Sequence, residues 1–147
     1  MVGGGETMLS LVSDLEPLLS DETHPGRDMR GNISRRIVQL HKEFYGRGPT
    51  KAKTYVSGDL VVVLMRGGFT RVEATLLHEG RGDAVIQQRM EFQEVMEGRF
   101  KEVVAQETGR KVLAMMSGSH QDPDLLGEVF VLESTDLLEG ESPSGRA

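Results

Sequence analysis

Residues 41–66 have the sequence HKEFYGRGPTKAKTYVSGDLVVVLMR, and this stretch decides the fold. Its first part completes a helical pattern that Gly46 ends as a left-handed C-cap. Residues 51–56 then alternate apolar and polar side chains, and residues 57–59 (Ser-Gly-Asp) form a tight turn. The β-branched run at 60–65 is apolar on both faces, so the stretch predicts a helix and then a hairpin whose second strand is central in the sheet or at a subunit interface.

Helical patterns lie on both sides of this hairpin. We expect Asn32 to cap the first helix, whose apolar positions recur every three or four residues (Ile33, Ile37, Leu40, Phe44). After the hairpin, Thr70 and Glu73 have the spacing of a capping box, which opens a second helix running to about His78.

The last part of the chain predicts a long helix and a second hairpin. Asp83 is the expected cap of a helix that Gly109 ends, and at 1.5 Å per residue that helix is on the order of 35 Å long. Its excess length predicts a homodimer formed through it. Residues 110–117 and 125–133 resemble strands, joined by a loop at 118–124. The order helix, hairpin, helices, hairpin predicts an α+β fold with a four-stranded, largely antiparallel sheet and helices on one face.

The sequence divides into three parts. Residues 1–28 form an acidic arm that we expect to be poorly ordered, residues 29–134 a single α+β domain, and residues 135–147 a disordered acidic tail. An alternative for the arm stays open: its leucines could anchor an amphipathic segment that docks on a partner.

Composition excludes several classes of protein. The chain has no cysteine, which rules out disulfides and thiolate sites. A net charge of −6 and a pI near 5.2 disfavour nucleic acid as a partner, because such binding needs clustered Lys and Arg. No apolar run approaches the roughly 20 residues of a membrane span, so we expect no membrane insertion and a cytoplasmic location.

The candidate ligand-binding residues lie in and around three loops that combine glycine with charge. The first is the basic loop of residues 47–53, which could hold a phosphate or carboxylate, although it follows a helix C-terminus rather than an N-terminus. The second precedes Asp83, whose carboxylate we expect to cap the helix instead. The third, at 118–124, could suit a hard cation but has the composition of an ordinary turn, so we predict no metal. The candidate set is Arg47, Gly48, Lys51, Lys53, Tyr55, Arg81 and His120, and we expect at least two of the loops to meet at one end of the sheet.

No catalytic signature is present. The sequence has no G-x-S-x-G, H-E-x-x-H, Walker, Rossmann or kinase motif. For His41 a structural role is favoured over that of a catalytic base. Glu91, Glu94 and Glu97 alternate with basic residues along the long helix, as on a solvated face. We therefore predict a protein that is not an enzyme and has no cofactor.

Several short motifs in combination resemble the small bacterial MpsC-like or YbcI-like family. The resemblance covers about Ile33 to Glu133, and the motifs are HKEFYGRGP (41–49), AKTY (52–55), DLVV (59–62), RGGFT (66–70), GRGDAV (80–85) and HxDPD (120–124) followed by EVFVLE (128–133). The family name implies association with a sodium-translocating, membrane-potential-generating and bicarbonate-uptake system, and assigns no chemistry.

Two hypotheses follow from these observations. The first is a non-enzymatic accessory or regulatory protein, a cytoplasmic homodimer with a membrane transport protein as partner. The alternative is a sensor module that binds a small anion or a nucleotide at the Gly-Arg-Gly-Pro loop.

Overall fold

The computed structural model describes residues 25–134, which form three helices and four strands. In chain order these are α1 (Pro25–Tyr45), β1 (Lys51–Ser57), β2 (Leu60–Arg66), α2 (Arg71–His78), α3 (Gly82–Thr108), β3 (Val112–His120) and β4 (Leu125–Leu132). The strands form one antiparallel sheet in the order β1-β2-β4-β3. The predicted α+β fold is therefore confirmed. Residues 1–24 and 135–147, which contain most of the predicted arm and all of the predicted tail, lie outside the described residues.

The first hairpin forms where the sequence predicts it. Ser57 pairs with Leu60, so only two residues make the turn, and the first of them, Gly58, has φ +58°. Such a turn needs a residue that tolerates positive φ, which explains the glycine. The apolar strand β2 lies between β1 and β4, as expected for a strand without a polar face.

The hydrophobic core lies on one face of the sheet, beneath α1 and α3. Its fully or nearly fully buried members come from α1, β2, α3 and β4 (Ile33, Ile37, Val61, Val63, Met65, Met96, Phe100, Val103, Val104, Leu126, Phe130, Leu132). Every second side chain of β4 is buried, because alternate side chains of a strand point to the same face of the sheet. Among residues 25–134, no helix combines the length and the apolar character needed to cross a membrane.

The first helix begins at Pro25, seven residues before the predicted cap Asn32. Proline is compatible with a first helical turn, and Asp28 adds a favourable negative charge there. Asn32 is instead used within the helix: its amide donates to Glu107 near the end of α3, at 3.1 Å. The predicted end is correct, since the helix finishes at Tyr45 and Gly46 has φ +90°.

The later helices confirm some boundaries and correct others. The capping box of α2 is complete, with Thr70 and Glu73 each bonding the other's backbone N–H. For α3 the predicted cap Asp83 is wrong: the N-cap position is Arg81, which makes no side-chain capping bond, and Asp83 lies in the first turn. The predicted end at Gly109 is correct, and this residue is left-handed with φ +71°.

The second hairpin is shifted relative to the prediction. Strand β3 starts at Val112 rather than Arg110 and continues to His120, because its pairing with β4 extends to His120 opposite Leu125. The predicted loop of residues 118–124 therefore shrinks to 121–124. Arg110 lies before the strand, where its guanidinium bonds Asp59 and the Glu133 carbonyl.

Candidate functional site

The loops that carry the candidate residues meet at one end of the sheet. Antiparallel pairing places Lys51, Arg66, Leu125 and His120 in one row across the four strands, so the connections beyond them share that end. There the Gln121 amide donates to the Gly82 carbonyl at 2.9 Å, which joins the second and third predicted loops. The expectation that at least two loops meet is confirmed.

The basic loop closes on the turn that follows β2. Gly68 has φ +99°, and a Cβ there would lie 3.1 Å from the Pro49 Cα, so only glycine allows this approach. The neighbouring Gly67 donates its N–H to the Asp124 carbonyl at 3.2 Å. The first loop is thereby linked to the β3–β4 turn through residues 67–68.

Beneath these loops is a cavity of about 10 Å³ on the helix-covered side of the sheet. It is lined by His41, Tyr45, Arg47, Pro49, Gly67, Gly68, Arg89, Phe92, Gln93 and Leu126. That volume is about one water molecule, too little for a nucleotide. The cavity matters because of the polar atoms that border it.

His41 is the main unpaired donor or acceptor at this cavity. The side chain is 2% exposed, and its ring lies flat against Phe100 with centroids 5.3 Å apart. Its Nδ1 lies 2.9 Å from the Ile37 carbonyl oxygen, so Nδ1 carries the proton and donates it, while the buried Nε2 has no partner within residues 25–134. Burial lowers the pKa of His41, and the charge of Arg89 lowers it further, while the hydrogen bond to the Ile37 carbonyl acts to raise it. The imidazole is therefore neutral near pH 7, and its Nε2 is an acceptor.

Arg89 is the centre of a buried charge cluster beside the cavity. Its guanidinium, 3% exposed, bonds both Glu73 carboxylate oxygens at 2.9 and 3.2 Å and Asp124 at 3.1 Å. It also stacks 4.4 Å from the Phe69 ring centroid. The Tyr45 hydroxyl donates to Glu73 and accepts from Gln88 at 2.9 Å. The cluster fixes α1, α2, α3 and the β3–β4 turn relative to one another.

The two carboxylates of the cluster respond differently to burial. Burial acts to raise the pKa of Glu73, but bonds from Arg89, Tyr45 and the Thr70 N–H outweigh it and hold that pKa below its ordinary value. Burial also raises the pKa of Asp124, and the Arg89 charge only partly offsets the rise. Glu73 is thus the firmly ionised partner of Arg89, while Asp124 keeps one buried oxygen without a partner in the described part of the chain.

A second buried carboxyl, Glu128, lies in the middle of β4 on the core face. It is 0% exposed, and burial raises its pKa to about 8, against a bond from the Ser117 hydroxyl. Glu128 is therefore protonated at pH 7. Close by, a groove of about 390 Å³ runs between α3 and the edge strand β3, bordered by Met90, Gln93 and Ser117 among others.

The candidate residues divide between two sides of the sheet. Arg47 borders the cavity, and Gly48 packs so closely on Lys42 that an added Cβ would lie 2.6 Å from its Cγ. Lys51, Lys53, Tyr55 and His120 all point to the opposite face of the sheet, and Lys53 lies 5.1 Å from the Tyr55 ring centroid. Arg81 is exposed before α3. The structure does not bring these residues into one pocket, and their role in binding stays a prediction.

A family model described as "Na+-translocating membrane potential-generating system (MpsC)" matches residues 27–134, which include the buried cluster and the loops around it. The chain belongs to the MpsC family. The MpsC match begins two residues after the start of α1 and ends with the last described residue, so it covers the whole sheet, α2, α3 and all but the first two residues of α1.

The chain is 31% identical over 85 residues to "Uncharacterized protein YbcI" of Bacillus subtilis (strain 168), an alignment that covers 57% of this chain and 68% of that protein. No solved structure matches the chain. The resemblance seen in the sequence motifs is therefore confirmed.

Sequence reasoning missed the buried cluster of this MpsC-family chain, although signals for it exist. Arg89 lies four residues after buried Val85 and seven before Met96, so it is on the apolar stripe of α3, where a charge needs a partner. Glu128 lies two residues from both Leu126 and Phe130, so all three side chains point to the core face of β4. A charged residue at a core position of a regular pattern was the available signal.

Replacing Arg89 tests the buried cluster. At pH 7 the variant Arg89→Leu should lower the free energy of unfolding by about 3–5 kcal/mol, because the Glu73 carboxylate is left buried without its partner. In the native protein Glu73 has a lowered pKa, so its contribution is present above the unfolded pKa and is lost as the pH falls through the folded value. In the variant, burial without Arg89 raises the pKa of Glu73, so this carboxyl takes up a proton at a higher pH than in the native protein. The difference in the free energy of unfolding between native protein and variant should therefore shrink as the pH falls from 7 to 4. Urea unfolding across this range measures it.

Arg99→Leu is the matched control for that measurement. Arg99 is on the same helix, but it is exposed, with its guanidinium 4.5 Å from the Phe44 ring centroid. Its loss should cost about 0.5–1 kcal/mol at every pH. An Arg89→Leu deficit that stays constant from pH 7 to pH 4 would contradict the assignment of Glu73 as the ionised partner.

Glu128→Gln should have a pH dependence of opposite sign. The folded pKa of about 8 lies above the unfolded value, so the native protein binds the proton more tightly and loses stability as the pH rises between about 4.5 and 8. The loss approaches about 1.4 kcal/mol per pH unit within that window. The stability of the glutamine variant lacks this pH dependence, so its free energy of unfolding should rise relative to that of the native protein from pH 5 to pH 8. Glu91→Gln, an exposed position on α3, is the control, and equal slopes for all three proteins would refute a buried neutral Glu128.

Proposed function

We propose that this chain is a non-enzymatic accessory or regulatory protein that acts beside a membrane sodium or bicarbonate transport system. The observation that carries the proposal is the match of residues 27–134 to a family described as a Na+-translocating membrane potential-generating system. The geometry supports the non-enzymatic part of the proposal. Within the buried cluster the ionisable side chains are engaged with one another, as in the pair of Glu73 and Arg89, and His41 is enclosed beside a water-sized cavity.

The proposal includes a cytoplasmic homodimer formed through α3. This helix has 27 residues, about 40 Å, and is longer than the strands beneath it. Three large apolar side chains on it are exposed in the single chain: Ile86, Met90 and Val95, the last at 71%. Ile86 and Met90 lie about one turn apart, and a second copy packed there would remove both side chains from water.

The experiment is done in the native host. Deleting the gene should lower the membrane potential measured with a potential-sensitive dye in sodium-containing medium, and the gene in trans should restore it. Cross-linking of the tagged protein should recover a membrane transport component, identified by mass spectrometry. The proposal fails if the deletion leaves the potential unchanged, if no transport component is recovered, or if the purified protein turns over a metabolite.

A small-anion sensor is the second candidate, because one cavity is bordered by Arg47, by Arg89 and by His41 with its unpaired Nε2. The volume of about 10 Å³ limits an anion to the mouth of the cavity beside Arg47 unless the loop moves. Arg89 offers little net charge, since two carboxylates already bond it.

Thermal unfolding with phosphate, bicarbonate or nucleotides tests this second candidate. A ligand at 100 times its dissociation constant should add about 2.7 kcal/mol of stability. Arg47→Ala should abolish the shift, whereas Arg71→Ala, another exposed arginine at the same end of the sheet, should keep it. An identical shift in both variants, or no shift with any of these anions, would remove the hypothesis.

A further inference from the structure

More than half of the residues on the face of the sheet opposite α1 and α3, here called the open face, are apolar. It consists of every second residue of each strand, and its apolar members are Tyr55, Leu60, Val62, Leu64, Ala114, Met116, Leu125, Val129 and Val131. Met116 is 58% exposed and Tyr55 47%. Antiparallel sheets with one uncovered face normally carry polar residues there. An uncovered apolar face of this kind marks a surface that binds something.

The charges of the open face have a single sign. Lys51, Lys53 and Arg66 lie at the end of the face near the loops, with His120 in the same row. None of the strand residues that form this face is an aspartate or a glutamate. The surface therefore has an apolar centre and a basic rim at one end, which complements a ligand that is apolar and acidic.

The sequence of this same chain contains such a ligand. Residues 1–24 contain five acidic residues and no lysine or arginine, whereas residues 25–134 contain 15 acidic and 16 basic residues. The negative charge of the protein is therefore concentrated outside the domain. The same segment is rich in large apolar side chains at intervals of one to three residues (Met8, Leu11, Val12, Leu15, Leu18, Leu19).

We propose that residues 8–22 dock on the open face of their own chain. The leucines cover the apolar centre around Val62, Leu64 and Val129, and the carboxylates of Asp14 and Glu16 pair with the basic rim. Residues 8–22 lie outside the described residues, and their sequence complements the apolar centre and basic rim of the open face. Because the pairing is between surface charges, docking weakens as the salt concentration rises.

The chain is long enough for this docking within one molecule. Helix α1 ends at Tyr45 near the basic rim, so its first residue, Pro25, lies toward the opposite end of the sheet. A strand of seven residues is about 23 Å long. The eleven residues that separate Asp14 from Pro25 span at most about 36–40 Å, enough to round the end of the sheet and reach the rim.

The absence of cysteine makes a direct test possible. A single Val12→Cys substitution in the full chain receives a nitroxide spin label, and paramagnetic broadening is read on the backbone amides. Amides of the open face, including those of Val62, Leu64 and Val129, should lose signal, while those of the outward face of α3 should not. A label at Gly98→Cys, exposed on α3, is the matched control and should leave the open face unaffected.

Charge reversal identifies the forces involved. Lys53→Glu combined with Arg66→Glu, both exposed, should reduce the broadening several-fold, and adding Asp14→Lys and Glu16→Lys should restore it. Far-ultraviolet circular dichroism and a thermal melt verify that each variant is folded. Broadening that these reversals do not change would overturn the charge pairing and with it the proposal.

Mixing separates the proposed occupant from the others. When a spin-labelled copy without ¹⁵N is mixed with a ¹⁵N copy without the label, docking within one chain predicts no broadening. Broadening of the open-face amides in the mixture would assign the face to the segment of a second copy and overturn the proposal. If the open-face amides are broadened neither in the labelled ¹⁵N protein nor in the mixture, the face binds a different protein, and the proposal is overturned. None of these outcomes depends on the membrane role proposed above.

Discussion

The buried guanidinium of Arg89 is the constraint on which the rest of the structure depends. A charge that is 3% exposed must have partners, and here two carboxylates and one aromatic ring supply them. Each partner comes from a different part of the chain: Glu73 from α2, Asp124 from the β3–β4 turn and Phe69 from the segment between β2 and α2. The pairing therefore specifies how the loops at this end of the sheet pack, beyond what apolar burial requires.

The same residue type behaves in opposite ways at two buried positions. Glu73 has a lowered pKa because Arg89, Tyr45 and a backbone N–H outweigh its burial, whereas Glu128 has only a serine hydroxyl to oppose its burial. Both side chains are 0% exposed, so burial alone does not decide the charge of a carboxyl. The number and charge of the donors that reach it do. One carboxyl consequently gives the molecule an ionic contact and the other a neutral polar group inside the core.

The outline of the fold could be predicted from the sequence because its signals are local. Alternation in β1, the capping box at Thr70 and the glycines at 46 and 109 each act within a few residues, and all four features are present in the structure. The errors arose where a distant partner decided the outcome. Helix α1 extends back to Pro25, with Asn32 in its interior bonded to Glu107, and β3 runs to His120 because β4 pairs with it there. The buried cluster was missed for the same reason, since residues 73, 89 and 124 are distant in sequence and each alone is an ordinary surface type.

The two faces of the sheet differ in apolar area and in the pairing of their charges. On the covered face, the buried charges are paired or neutralised, a cavity beside Arg89 holds about one water, and a groove of about 390 Å³ lies between α3 and β3. On the open face, apolar side chains and an uncompensated basic rim remain available, although the whole chain is acidic. A site that transforms a small molecule needs a concave, preorganised pocket with free acid and base groups. A contact surface needs apolar area and unbalanced charge, which is what this sheet presents.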